Sequence, residues 1–128
     1  MNKVVLDSSA LLALLNHEPG AEKLTPELLN VAVCSTVNLA EVHSKLVSLG
    51  ISESEAWTDA TAPVSEFVDF TAAHAQLAGD LVRQTRPFGL SLGDRACLAL
   101  GMDLGAPVYT ADRAWKKLRL PVQINLIR

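Results

Sequence analysis

Lys3-Val4-Val5-Leu6-Asp7-Ser8-Ser9-Ala10-Leu11-Leu12-Ala13-Leu14-Leu15 sets a short β-branched run, one acid, two hydroxyl residues and a row of helix formers in that order. This predicts a strand over 3–6 and a helix to Leu15, capped by Ser8 or Ser9 and ended by Pro19-Gly20. The alternation repeats downstream. A second helix is expected over 21–29, with Pro26 inside it. Residues 31–35 read as strand two, followed by a helix over 37–49 that Gly50 closes. Ser52-Glu53-Ser54-Glu55 reads as a capping box for a helix to Thr61. Strand three falls in 66–70, and a helix over 71–85 turns Leu77, Ala78 and Leu81 inward. A helix over 91–102, strand four over 107–110, a short helix over 114–118 and strand five over 122–126 complete the chain. Strands alternating with helices build a parallel sheet covered on both faces. The expectation is an α/β fold in three layers around a central, mainly parallel five-stranded sheet. No repeat, low-complexity tract or linker divides it, so 1–128 reads as a single domain.

Composition removes several classes of function. The chain has 128 residues, 49% of them hydrophobic, and a formal net charge of −3. A hydrophobic fraction this high supports a packed core and excludes a disordered chain. Non-specific nucleic-acid coats are strongly basic, and this chain is not. Cys34 and Cys97 sit in apolar surroundings without zinc or redox spacing, so both read as buried thiols of a reducing compartment. No apolar run approaches the ~20 residues that span a bilayer. The expectation is a soluble, cytoplasmic protein.

Asp7, Glu41, Asp94 and Asp112 are the candidate site. Each has an ordinary reading as well. Asp7 favours a helix start, Asp94 stands at capping-box spacing from Ser91, Asp112 can cap the next helix, and Glu41 can pair with Lys45 one turn on. Their joint placement argues for more. Ligands of open α/β sheets bind beyond the carboxyl ends of the strands. Asp7 directly follows strand one, and Asp112 follows strand four. Glu41 lies early in the helix leaving strand two, on a polar stripe with Asn38, Lys45 and Ser48, opposite Leu39, Val42, Leu46 and Leu49. Asp94 opens a helix beginning at the same edge.

Such acids repel, at about 4 kcal/mol for a pair ~4 Å apart at an effective dielectric near 20. They persist together through raised pKa values or a bound cation. Oxygen ligands suit Mg²⁺ or Mn²⁺ rather than zinc, and such an ion suits phosphoryl chemistry. Ser8, Ser9, Asn38 and Thr110 are candidates to orient the carboxylates.

Residues 5–15, Asn38-Leu39-Ala40-Glu41-Val42, residues 92–100 and Tyr109-Thr110-Ala111-Asp112-Arg113-Ala114-Trp115 together resemble the sequence blocks of PIN domains, and among these the VapC-like toxins. The resemblance runs end to end. It implies a PIN-like domain with metal-dependent endoribonuclease activity on single-stranded or loop RNA, and Asp7, Glu41, Asp94 and Asp112 as the Mg²⁺ or Mn²⁺ ligands. It also implies a homodimer and an antitoxin partner whose tail fills the acidic groove.

Arg95, Arg113 and Lys116, with Lys117 and Arg119, flank the last two acids and are candidates for RNA phosphate contacts. Trp115 reads as core, and His17, His43 and His74 lack metal-ligand spacing. A non-catalytic PIN-like interaction module and a DNA-directed nuclease are the alternatives, since an acid cluster does not choose the sugar. A phospho-acceptor receiver domain is disfavoured. It needs adjacent acids at strand one and a lysine after the last strands, whereas strand one here carries only Asp7 and residues 121–126 lack a lysine.

Overall fold

Five short strands pair in the order β3-β2-β1-β4-β5, every neighbour parallel. They are β1 (Val4–Leu6), β2 (Ala32–Ser35), β3 (Glu66–Val68), β4 (Val108–Thr110) and β5 (Ile124–Leu126). The expected "mainly parallel" sheet is wholly parallel. The computed structural model describes residues 2–128. Its helices are α1 (Ser8–Leu15), α2 (Pro26–Leu29), α3 (Thr36–Ser48), α4 (Glu53–Thr61), α5 (Ala72–Asp80), α6 (Val82–Thr85) and α7 (Leu92–Leu104), joined by short 3-10 turns.

Side chains of a strand alternate between sheet faces, and here the alternation separates two cores. Leu6, Ala32 and Cys34 pack with Leu11, Leu39, Val42 and Ala56 from α1, α3 and α4. Val5, Val33 and Val108 pack on the other face with Leu98 and Leu100 of α7, Leu81 and Trp115. Trp115 is fully buried, as core packing of that residue requires. This is the expected three-layer arrangement.

Four expectations need correction. Asp7, rather than Ser8 or Ser9, caps α1: its backbone is extended (φ −88°, ψ 177°) and its carboxylate accepts the Ala10 N–H. The helix expected over 21–29 is broken, since the residue before a proline is driven to extended backbone. Thr25 adopts φ −70°, ψ 160° and caps α2, whose first residue is Pro26. The helix expected over 71–85 is divided at Leu81, whose backbone stays helical. Leu49 is 59% exposed rather than packed, because α3 ends at Ser48 and Gly50 (φ 95°) turns the chain away.

The sheet order places the site. From β1 the chain moves outward through β2 to β3, then crosses back to β4 on the other side of β1. Successive connections thus leave β1 and β4 in opposite directions. The crevice beyond the carboxyl ends of these two strands is the switch point where open α/β sheets bind ligands.

Candidate active site

Asp7 occupies that switch point. Its Oδ1 accepts the Ala10 N–H at 2.8 Å, the α1 cap. Ser9 Oγ donates to the same carboxylate at 2.8 Å, and Thr110 Oγ1, at the end of β4, donates at 2.6 Å. Both hydroxyls are held in turn by backbone. Ser9 Oγ accepts the Ala111 N–H at 2.9 Å, and Thr110 Oγ1 accepts the Asp112 N–H at 3.0 Å. The two hydroxyls therefore clasp the end of β1 to the end of β4. Asp7 is only 2% exposed. Burial pushes its carboxyl up to about 6, against the lowering effect of the hydrogen bonds from Thr110, Ala10 and Ser9. The charge of Asp94 raises it further.

Asp94 lies in the first turn of α7 and forms a reciprocal capping box. Its Oδ2 accepts the Ser91 N–H at 2.9 Å, and its own N–H donates to Ser91 Oγ at 3.2 Å. Burial again raises this carboxyl, and the charges of Glu41 and Asp112 add to the effect. Asp112 is exposed and caps the 3-10 turn Arg113–Lys117 through Ala114 N–H, at 2.9 Å. The ordinary capping readings of these acids are all correct. Capping is also what holds each one at the edge.

Glu41 extends from α3. The Ser8 hydroxyl donates to it, and so does Asn38 Nδ2, at 2.9 Å. Asn38 is buried, and its Nδ2 also lies 3.1 Å from Ser8 Oγ and 3.0 Å from the carbonyl of Gly93. Its Oδ1 has no partner. The acceptors around Nδ2 fix the amide's orientation, because a flip would turn Oδ1 toward a carboxylate and a carbonyl. Asn38 thus links α1, α3 and α7 beneath Glu41.

Ion pairs among the described residues join Lys3 to Glu66 and Arg128 to Glu18, a hydrogen bond joins His74 to Asp103, and none of these includes the four acids. Arg95, beside Asp94 in sequence, turns toward α5 and donates from Nη1 to the Ala78 carbonyl at 2.9 Å. Arg113, Lys116 and Lys117 line a shallow basic groove of about 460 Å³ next to Asp112. A cavity of about 440 Å³ at the opposite end of the sheet, lined by Asn2, Lys3, Leu104 and Gln123 among others, holds no carboxylate.

The structure brings the four acids to one edge. Among the described residues, however, no group of three or more His, Cys, Asp or Glu side chains is placed to hold a metal ion. An all-oxygen donor set without counter-ions, offering one or two carboxylates at a time, fits a largely hydrated Mg²⁺ or Mn²⁺ and does not fit a tetrahedral zinc site. Sequence reasoning missed Gly93, which lies directly under the Glu41 carboxyl group. The available signal was a glycine inside a helical pattern where no turn is needed, a mark of close approach.

Fold and site together define a class: a parallel α/β domain with one buried, one half-buried and two exposed acids at the switch point of its sheet. Residues 4–120 match the family profile described as PIN domain, and the chain belongs to the PIN-domain family. No curated protein matches the sequence. Solved structures share the fold. DNA-bound VapBC from Salmonella typhimurium is 13% identical over 100% of both chains, with a TM-score of 0.76. VapBC2 from Rickettsia felis, bound to a promoter DNA fragment, is 20% identical over 96% of this chain and 97% of that one, with a TM-score of 0.73. VapC20 from Mycobacterium tuberculosis, a Sarcin-Ricin loop cleaving toxin, is 18% identical over 91% and 97%, with a TM-score of 0.72. Among the described residues no helix is long and apolar enough to cross a membrane.

Proposed function

We propose that this chain is a metal-dependent endoribonuclease, the toxin half of a toxin–antitoxin pair, with Asp7, Glu41, Asp94 and Asp112 as its metal-binding acids. One observation carries the reading. Four carboxylates without ion-pair partners stand along one edge of the sheet, close enough for Asp94 to raise Asp7 and for Glu41 and Asp112 to raise Asp94, and Asp7 is buried deeply enough to be pushed up to about 6. A chain keeps such a cluster where a cation resolves the repulsion. When bound, Mg²⁺ or Mn²⁺ supplies a water of lowered pKa and offsets charge on the scissile phosphate.

The protein's own groups do the rest. Ser9, Thr110 and the Ala10 N–H fix the Asp7 carboxylate in one position. Ser8 and Asn38 do the same for Glu41, and Ser91 for Asp94. Preorganised oxygen ligands need no rearrangement when the substrate arrives. Arg113 and Lys116 in the basic groove bind substrate phosphates and seat the strand beside the acids. Arg95, in contrast, is engaged with α5. Hydrolysis leaves a 5′-phosphate and a 3′-hydroxyl. The similar structures solved as VapBC pairs support an antitoxin as the partner, and the family resemblance supports a homodimer in the cytoplasm.

The test is incubation of a mixed RNA pool with purified, partner-free protein and Mg²⁺ or Mn²⁺, beside Asp7→Asn and chelator controls. The expected result is cleavage to 5′-phosphate ends, lost in both controls. Cutting of DNA in preference to RNA reassigns the substrate. A folded protein that cuts neither is a binding module instead.

A further inference from the structure

Gly93 is the second residue of α7, a position where nothing in the local backbone asks for glycine. Its φ is outside the left-handed range, and alanine is the better helix former. The reason for glycine is spatial. A Cβ built on Gly93 would overlap Oε1, Oε2 and Cδ of Glu41, the three nearest atoms to it. Glu41 therefore rests its carboxyl group on the bare Cα of α7. The Ser8 hydroxyl and Asn38 Nδ2 hold the carboxylate there, and the same Nδ2 reaches the Gly93 carbonyl at 3.0 Å.

We propose that Gly93 is a positioning residue: the missing side chain forms a seat that fixes the Glu41 carboxylate over the first turn of α7, one residue from Asp94. There the positive end of the helix dipole favours two neighbouring carboxylates that otherwise repel. Any side chain at 93 evicts Glu41 toward solvent and separates it from Asp94. Eviction is cheap for the fold, because Glu41 is exposed and its carboxylate is the free end of a flexible side chain. The glycine thus serves the acid pair and costs the helix. This inference rests on the metal-site reading above.

The experiment is a double-mutant cycle over wild type, Gly93→Ala, Glu41→Ala and the double variant. Apoprotein Mn²⁺ affinity is measured by electron paramagnetic resonance, and thermal midpoints are measured in chelator. Gly93→Ala is expected to melt at or above the wild-type midpoint while losing Mn²⁺ affinity about 10- to 100-fold, the range for residues that orient metal ligands. Glu41→Ala loses a similar factor, and the double variant loses no more. A lowered midpoint in Gly93→Ala that Glu41→Ala relieves reports the same contact. The proposal is overturned if Gly93→Ala binds Mn²⁺ like wild type, or if its loss persists undiminished in the Glu41→Ala background. Should wild type itself bind no Mn²⁺, the metal-site reading fails. The midpoints would still report whether residue 93 and Glu41 are coupled.

Discussion

Asp7→Asn should destroy the proposed activity and stabilise the metal-free protein. Asp7 has an ordinary carboxyl value of 3.8 and stands near 6 in the fold. Between these values the folded state holds a proton that the unfolded state has released, so stability falls as pH rises through this window. Below 3.8 both states are protonated and no penalty exists. Above 6 both are ionised and the penalty is complete. A gap of about two pH units, at 1.36 kcal/mol each, makes it about 3 kcal/mol. Asparagine keeps the Ala10 cap, since it caps helices as well as aspartate does. It gives up part of the hydrogen bonding from Ser9 and Thr110, a loss on the order of 1 kcal/mol. The net gain is then roughly 2 kcal/mol at pH 8, which corresponds to a midpoint several degrees higher in a domain of this size.

The assay is urea unfolding of wild type and Asp7→Asn in chelator at half-unit steps from pH 4 to 8. The difference between the two should open between pH 4 and 6 and stay level above that. Asp94 is also raised by burial, but it is present in both proteins and largely cancels in the difference. Two curves that run parallel from pH 4 to 8 would refute a raised Asp7. Saturating Mg²⁺ should narrow the difference at pH 8, because only the wild-type carboxylate gains from the ion.

Asn38→Asp replaces a buried donor with an acceptor facing the Glu41 carboxylate and the Gly93 carbonyl. Urea unfolding at pH 7 should show a loss of about 3 kcal/mol, the cost of an uncompensated buried charge, partly recovered at pH 5 as the new carboxyl takes a proton. Arg113→Ala with Lys116→Ala should weaken RNA binding without changing sequence preference. A fluorescence-anisotropy salt titration should show the slope of log K against log salt reduced by about 1.4, from ~0.7 per phosphate contact on single strands. The melting temperature should hardly move, as both residues are exposed.

The sheet was legible because strand burial is local. Val5 and Leu6 on β1, or Ala32, Val33 and Cys34 on β2, alternate between two cores, so each strand's pattern states its surroundings. The placement of Asp7, Asp94 and Asp112 was legible for the same reason: each is defined by the end of a strand or the start of a helix. What stayed hidden lies between segments distant in sequence. The clasp of Ser9 and Thr110 on Asp7 spans about a hundred residues. The seat of Glu41 on Gly93 joins α3 to α7, and no helical period within either one reports it. Arg95 read as a candidate phosphate contact because it flanks Asp94. Its guanidinium instead meets the Ala78 carbonyl of α5, which only the packing of α5 against α7 brings near.

Capping and function, weighed as rivals in the sequence, turn out to be one device. Carboxylates that repel one another need anchors that do not neutralise them, since a lysine or arginine partner would compete with a cation for the same oxygens. A backbone N–H at a helix start is such an anchor: it donates one hydrogen bond, carries no full charge and leaves the other lone pairs free. Asp7, Asp94 and Asp112 each use one, from Ala10, Ser91 and Ala114. Glu41 sits too far along α3 to cap anything. It needs the Ser8 hydroxyl, the Asn38 amide and the bare surface of Gly93 in place of a cap. On this logic an acid with a backbone anchor keeps part of its hold when a neighbouring side chain changes, whereas Glu41 has no backbone donor and depends on three of its neighbours. It is therefore the acid of the four most easily dislodged by a substitution outside the acids themselves.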